Sequence, residues 1–236
     1  KEAFFDRYIV GQDTSIMNTI LSYPRSGSNF LNNCLDAISP KPFGKTHAHY
    51  HRFWKENTLD KKDMTVVLVL RNYKECIPRH TKATTPEALL QHAVGLKATE
   101  RPGAKKDANG RRFTQSDYMA LVKWYHEYQG KKTIVYYEDF VTNTAEELRR
   151  LADFIGDVEE GTLENFIDNL DQHRKTSASK YNKFGKTTTL DKEAKPISTI
   201  QHSQIIPKAG RLRIDEHLSQ TFPTLYEKYL KRYKES

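Results

Sequence analysis

Hydrophobic and polar positions along this chain fall into two rhythms. Short, largely apolar runs at 16–23, 64–70 and 133–137 read as buried strands. Other stretches repeat apolar residues at helical spacing. Leu31, Cys34, Leu35 and Ile38 form one such face, and Leu148, Leu151, Ala152 and Ile155 another. A helix is predicted over 28–38, with Ser28 as a candidate cap, and a short strand at 43–47 after Pro40 and Pro42. Thr85-Pro86-Glu87 predicts a capped helix start that continues through Leu89, Leu90, Ala93 and Val94. Residues 115–128 read as helical, as do 163–170 and 214–231, the last interrupted at Pro223. Thr144 and Glu147 make a capping-box pattern, and Gly156 is a stop. Residues 100–113, with Pro102, Gly103, Gly110 and five basic residues, read as a loop, and 175–213 show little periodicity.

Strands alternating with helices predict an α/β fold with a central parallel sheet flanked by helices. Ligands of such sheets sit beyond the carboxyl ends of the strands. The turn after the first strand, then His47, Arg71 and Tyr137, all fall at or just past such ends. That convergence predicts a single site.

Length, 236 residues, fits one domain spanning 1–236. No apolar run is long enough to span a membrane. Two cysteines, Cys34 and Cys76, provide no disulfide framework. With no visible signal peptide, the expectation is a cytoplasmic protein, an N-terminal anchor ahead of Lys1 being left open. The net charge is +8, and residues 172–213 carry that whole surplus, with 10 Lys/Arg against 2 Asp/Glu. A local surplus points to an anionic partner and to a basic, lid-like segment.

The turn Tyr23-Pro24-Arg25-Ser26-Gly27-Ser28-Asn29-Phe30 joins a strand to a helix. Unsatisfied N–H groups and the helix dipole favour an anion there, typically phosphate. Ser26, Ser28 and Asn29 add side-chain hydrogen-bonding groups, and Arg25 adds fixed charge. An ordinary capped turn is the other reading. The Walker pattern is absent, because no Lys-Ser/Thr follows Gly27.

This turn resembles the 5′-phosphosulfate loop of sulfotransferases, which transfer a sulfuryl group from 3′-phosphoadenosine-5′-phosphosulfate (PAPS). Lys45-Thr46-His47 resembles the family segment that carries the catalytic histidine. Sulfuryl transfer to an alcohol needs a base for the hydroxyl proton and cations for the leaving phosphate oxygen. The resemblance implies His47 as base, with Lys45 and Arg25 neutralising charge. The family usually has lysine at the place of Arg25. Arg71-Asn72-Tyr73-Lys74-Glu75 resembles the 3′-phosphate segment, with Arg79 standing where the family often has serine. Tyr136-Tyr137-Glu138-Asp139 resembles the Tyr-Glu-Asp segment, which would put Tyr137 near adenine. Phe30 takes the place of the adenine-stacking tryptophan; both aromatics read equally well as core. Lys208-Ala209-Gly210-Arg211 resembles the C-terminal loop over the 3′-phosphate, implying contacts from Lys208, Gly210 and Arg211.

The resemblance thus implies a P-loop-like sulfotransferase fold, PAPS as co-substrate and adenosine 3′,5′-bisphosphate (PAP) as product. It implies a small-molecule, lipid or glycan acceptor. Nucleic acid is not the expected partner. His47, His49 and His51 alternate, so a three-histidine metal site is a rival reading. The expectation is no metal, since no carboxylate or cysteine ligand pattern follows. Two other function classes stay open: a nucleotide-dependent phosphotransferase, and a non-enzymatic binder of polyanions.

Overall fold

The computed structural model describes residues 18–47, 64–95, 98–100, 114–175 and 202–235. Four strands form a parallel sheet: β1 (Asn18–Ser22), β2 (Phe43–Thr46), β3 (Val66–Leu70) and β6 (Lys132–Tyr136), in the order β2-β1-β3-β6. A separate antiparallel pair joins β4 (Ala98–Glu100) to β5 (Thr114–Ser116).

Every residue of β1 and β3 is buried; β3 is apolar throughout, as burial on both faces favours, whereas β1 buries Asn18, Thr19 and Ser22 along with Ile20 and Leu21. Alternate side chains serve two cores. Leu21, Val66, Leu68 and Leu70 face one; Ile20, Val67, Val69 and Val135 face the other. The first core is covered by α2 (Tyr73–Thr81), α3 (Pro86–Val94), α4 (Tyr118–Glu127) and α8 (Lys208–Thr221), with the helical turns of 223–233. The second is covered by α1 (Ser28–Ile38), α5 (Tyr137–Thr142), α6 (Thr144–Ile155) and α7 (Glu160–Asp168). The expected α/β architecture, a parallel sheet with helices on both faces, is what the chain adopts.

Thr85 caps α3 by accepting a hydrogen bond from the Ala88 amide at 3.2 Å, and Gly156 ends α6 with φ +89°. Five local expectations are corrected. Residues 115–128 are not one helix: Ser116 closes β5 and donates its amide to the His47 carbonyl at 2.9 Å, so α4 starts only at Tyr118. Ser28 is the first residue of α1, and Gly27 takes the cap position. The capping box at Thr144 does not form. Its buried hydroxyl donates to Phe140 O at 2.6 Å, and Glu147 pairs with Arg150 instead. The third apolar run stops at Tyr136, and Tyr137 opens α5. The aperiodic stretch ends sooner than expected, because His202–Ile205 forms a 3-10 turn and α8 begins at Lys208. Most of the expected basic lid lies outside the described residues.

Candidate active site

Parallel register brings the strand ends to one edge of the sheet. Leu21 pairs with Thr46, Ser22 with Val69, and Leu70 with Tyr136. The chain therefore leaves the sheet at Tyr23, His47, Arg71 and Tyr137 side by side, as the sequence predicts.

The turn after β1 is wound tightly, with left-handed backbone at Arg25 (φ 70°) and Gly27 (φ 81°). Gly27 is required twice over. Its φ suits glycine, and a Cβ there would lie 2.4 Å from Cδ2 of Tyr137. The Phe30 amide donates to Gly27 O at 3.1 Å. Ser26 is fully buried, and its hydroxyl has no hydrogen-bond partner of ordinary geometry. The Cys76 thiol beside it is a weak partner, so the turn suits a ligand with acceptor oxygens.

Arg71 is the second component. It is buried, yet its Nε has no hydrogen-bond partner. Its Nη1 donates to Arg25 O at 3.1 Å, and its guanidinium lies 4.3 Å from the centre of the Tyr137 ring. The backbone beneath it is fixed: Tyr118 Oη donates to Arg71 O at 2.8 Å, and the Asn72 amide donates to Glu138 Oε1 at 3.0 Å. Arg79, near the end of α2, is held below its ordinary guanidinium pKa, first by burial and then by the charge of Arg71. Tyr137 offsets that effect and Arg25 adds to it. Three cations crowded in this way would be relieved by a multiply charged anion.

His47 is the third component. Its Nδ1 lies 2.8 Å from the Ser22 carbonyl oxygen and 3.1 Å from Ser22 Oγ. A carbonyl can only accept, so this contact assigns the proton to Nδ1 and the lone pair to Nε2. Lys45, two residues earlier on the neighbouring strand, donates from Nζ to Asn29 Oδ1. His47, Lys45 and the turn after β1 are thereby brought together.

Other predicted residues are placed differently. Phe30 is half-buried, 5.6 Å from the Phe140 ring, with the Arg174 guanidinium 5.8 Å away. Lys208, Gly210 and Arg211 form the first turn of α8 rather than a loop. A Cβ on Gly210 would lie 2.6 Å from Pro86, and Arg211 donates to Ile206 O and Glu235. The helix packs there, which is a structural use of this segment. Among the described residues, no group of three His, Cys, Asp or Glu could hold a metal ion; His49 and His51 lie outside them. No described helix is long and apolar enough to cross a membrane.

The family model of the sulfotransferase domain matches residues 37–234. The chain belongs to the sulfotransferase family. The matched stretch contains Lys45, His47, Arg71, Arg79 and Tyr137, and the turn around Gly27 precedes it. Among the solved structures, the crystal structure of mouse sulfotransferase SULT7A1 complexed with PAP matches with a TM-score of 0.53 at 14% identity. The match covers 94% of this chain and 89% of that one, so the two share the sulfotransferase fold. A search of curated protein sequences returns no match.

Three supports of this candidate site escaped sequence reasoning. Ser22 sets the His47 tautomer through its backbone, which no residue type advertises. Tyr118 fixes Arg71 from a helix 47 positions away in the chain. Glu138 lies inside the Tyr-Glu-Asp segment, but its target, the Asn72 amide, becomes visible only when β3 and β6 pair.

Proposed function

We propose that this sulfotransferase uses PAPS as donor and transfers its sulfuryl group to a hydroxyl, or an amine, on a small-molecule, lipid or glycan acceptor. The observation that carries the reading is the placement of His47 beside Ser22, one residue before the arginine-bearing phosphate turn begins.

In this scheme the acceptor O–H gives its proton to His47 Nε2. The acceptor oxygen bonds to sulfur as the bond from sulfur to the 5′-phosphate oxygen breaks. The leaving nucleotide is PAP. The charge appearing on its phosphate oxygen is met by Lys45, Arg25 and the N–H groups of Gly27, Ser28 and Asn29 at the start of α1. Arginine holds its proton, so Arg25 acts by charge and position alone. Arg71 and Arg79 take the 3′-phosphate, Arg71 through a two-pronged guanidinium contact. Ser26 supplies a buried hydroxyl, and Phe30 and Tyr137 frame the adenine side. Lys208, Gly210 and Arg211, which the resemblance implies over the 3′-phosphate, would approach it from the first turn of α8 rather than from a loop.

Radiolabelled PAPS offered with a broad panel of alcohols, amines, lipids and glycans tests the proposal. Label transfer to an acceptor supports it. A thermal shift with ATP and Mg²⁺ but none with saturating PAP would support a phosphotransferase instead. Salt-sensitive binding of polyanions without turnover would support a binding protein.

A further inference from the structure

Residues Arg232 to Glu235 hook onto the two segments that carry Arg71 and Tyr137. Arg232 makes two parallel hydrogen bonds to Asp139, at 2.8 and 2.6 Å, and lies 4.0 Å from the Tyr136 ring centre. Tyr233 Oη donates to Glu138 Oε2 at 3.0 Å, while its carbonyl accepts from buried Lys74 Nζ at 2.5 Å. The Glu235 amide donates to Asp215 Oδ2 at 2.7 Å. The Glu235 carboxylate accepts from Arg211 at 2.7 Å.

Glu138 is the junction. One of its oxygens receives Tyr233, and the other receives the amide of Asn72, the residue after Arg71. Glu138 also follows Tyr137, whose ring faces the Arg71 guanidinium. One carboxylate therefore sets the spacing between the two halves of the Arg71–Tyr137 contact, and the hook holds that carboxylate from behind.

We propose that this hook is a positioning element for the donor nucleotide: Tyr233, acting through Glu138, sets where Arg71 presents its guanidinium to the 3′-phosphate. The inference rests on the 3′-phosphate reading of Arg71 given above. Coupling of this kind is reciprocal. If hook docking tightens nucleotide binding, nucleotide binding tightens hook docking. Only nucleotides bearing the 3′-phosphate engage Arg71, so adenosine 5′-phosphosulfate is the control ligand.

Two experiments test this. In the wild-type protein, hydrogen exchange is followed in the peptide containing residues 231–235, with and without each nucleotide. Saturating PAP should slow exchange there at least about twofold, and adenosine 5′-phosphosulfate should leave it unchanged. In parallel, calorimetry on Tyr233→Phe, which keeps the ring and removes only the hydroxyl, should show PAP binding weakened about two- to tenfold, the range expected for one such hydrogen bond. Binding of adenosine 5′-phosphosulfate should hold. Glu138→Gln, which keeps an oxygen for the Asn72 amide, should retain more PAP affinity than Glu138→Ala. Lys231→Ala, which removes an exposed ion pair to Glu227, should change neither nucleotide. Equal weakening of both nucleotides by Tyr233→Phe, or exchange that PAP does not slow, overturns the inference. Tight PAP binding by wild type with Tyr233→Phe unchanged overturns this inference alone. Failure of wild type to bind PAP overturns it together with the donor reading.

Discussion

The guanidinium of Arg71 lies 4.3 Å from the ring centre of Tyr137, and Cδ2 and Cε2 of that same ring fill the space a Cβ on Gly27 would need. One aromatic ring thus ties the turn after β1 to the arginine beyond β3. Gly27→Ala should break this arrangement twice, through strain at φ 81° and through collision with Tyr137. A loss of stability of about 1–3 kcal/mol is expected from the backbone alone. PAP affinity should fall with it, and adding Tyr137→Ala should relieve only the collision. Thermal melts and calorimetry on the single and double variants check both parts.

Arg71→Ala should weaken PAP binding by about 10- to 150-fold, the effect of losing hydrogen bonds to a charged group. Adenosine 5′-phosphosulfate should bind nearly as before. Arg71→Lys should restore part of the loss, since it keeps the charge but not the planar fork. Equal weakening of both nucleotides would refute the 3′-phosphate assignment.

His47→Ala should lower turnover on the order of 10²–10⁴-fold and leave PAP affinity close to wild type, because the imidazole acts on the acceptor. Chelators should not reduce activity. Activity that vanishes with chelator and returns with zinc would make the histidine a metal ligand.

Lys74 is buried beneath this site, donating to both oxygens of Asp215 at 3.0 and 2.9 Å. Arg71 and Arg79, on either side of it in the chain, bind nucleotide in the proposed scheme, but this side chain ties α2 to α8. Lys74→Met should cost about 3–5 kcal/mol of stability, because it leaves a buried carboxylate short of its cation. Adding Asp215→Leu should recover part of that loss. Denaturant melts on the single and double variants measure the coupling; strict additivity would show that the two residues do not act as a pair.

The hook at 232–235 should loosen in acid. Asp139 is held below its usual 3.8 first by hydrogen bonds from Arg232, and Glu235 below its usual 4.5 first by Arg211. A carboxylate with a lowered folded-state pKa adds stability above its unfolded pKa and loses it as pH falls through the folded one. Exchange at 231–235 should therefore be steady from pH 7 to about 5 and gain an opening contribution below about 4, after correction for intrinsic rates. Asp139→Asn should flatten part of that rise.

The central strand and the converging loop ends were legible because burial on both faces leaves a mark in sequence: an unbroken apolar run such as β3 has few other meanings. Local chemistry also carried through at Thr85 and Gly156, where cap and helix are neighbours in the chain. Misreadings came where a distant partner decided the outcome. Ser116 is strand rather than helix because its amide meets the His47 carbonyl. Thr144 turns back to Phe140 because α5 runs directly into α6. Gly210 looked like a loop glycine, but it is a point of close helix packing against Pro86. Tyr137 and Phe30 could not be told from core aromatics by residue type, since their difference lies in what stands across from them.

Sheet order has a consequence for how such a protein can change. Arg25 and Arg71 grow from β1 and β3, the two interior strands, each flanked on both sides by hydrogen-bonded neighbours. Lys45 and His47 grow from β2, a border strand of the described sheet with only one such neighbour and three of its four residues not fully buried. Mutations that reshape the surroundings of β2 disturb fewer ladder bonds and less core than mutations beside β1 or β3. Under the proposed roles, substitutions around β2 would alter acceptor choice at a lower structural cost than substitutions beside β1 or β3, where the proposed nucleotide contacts are rooted.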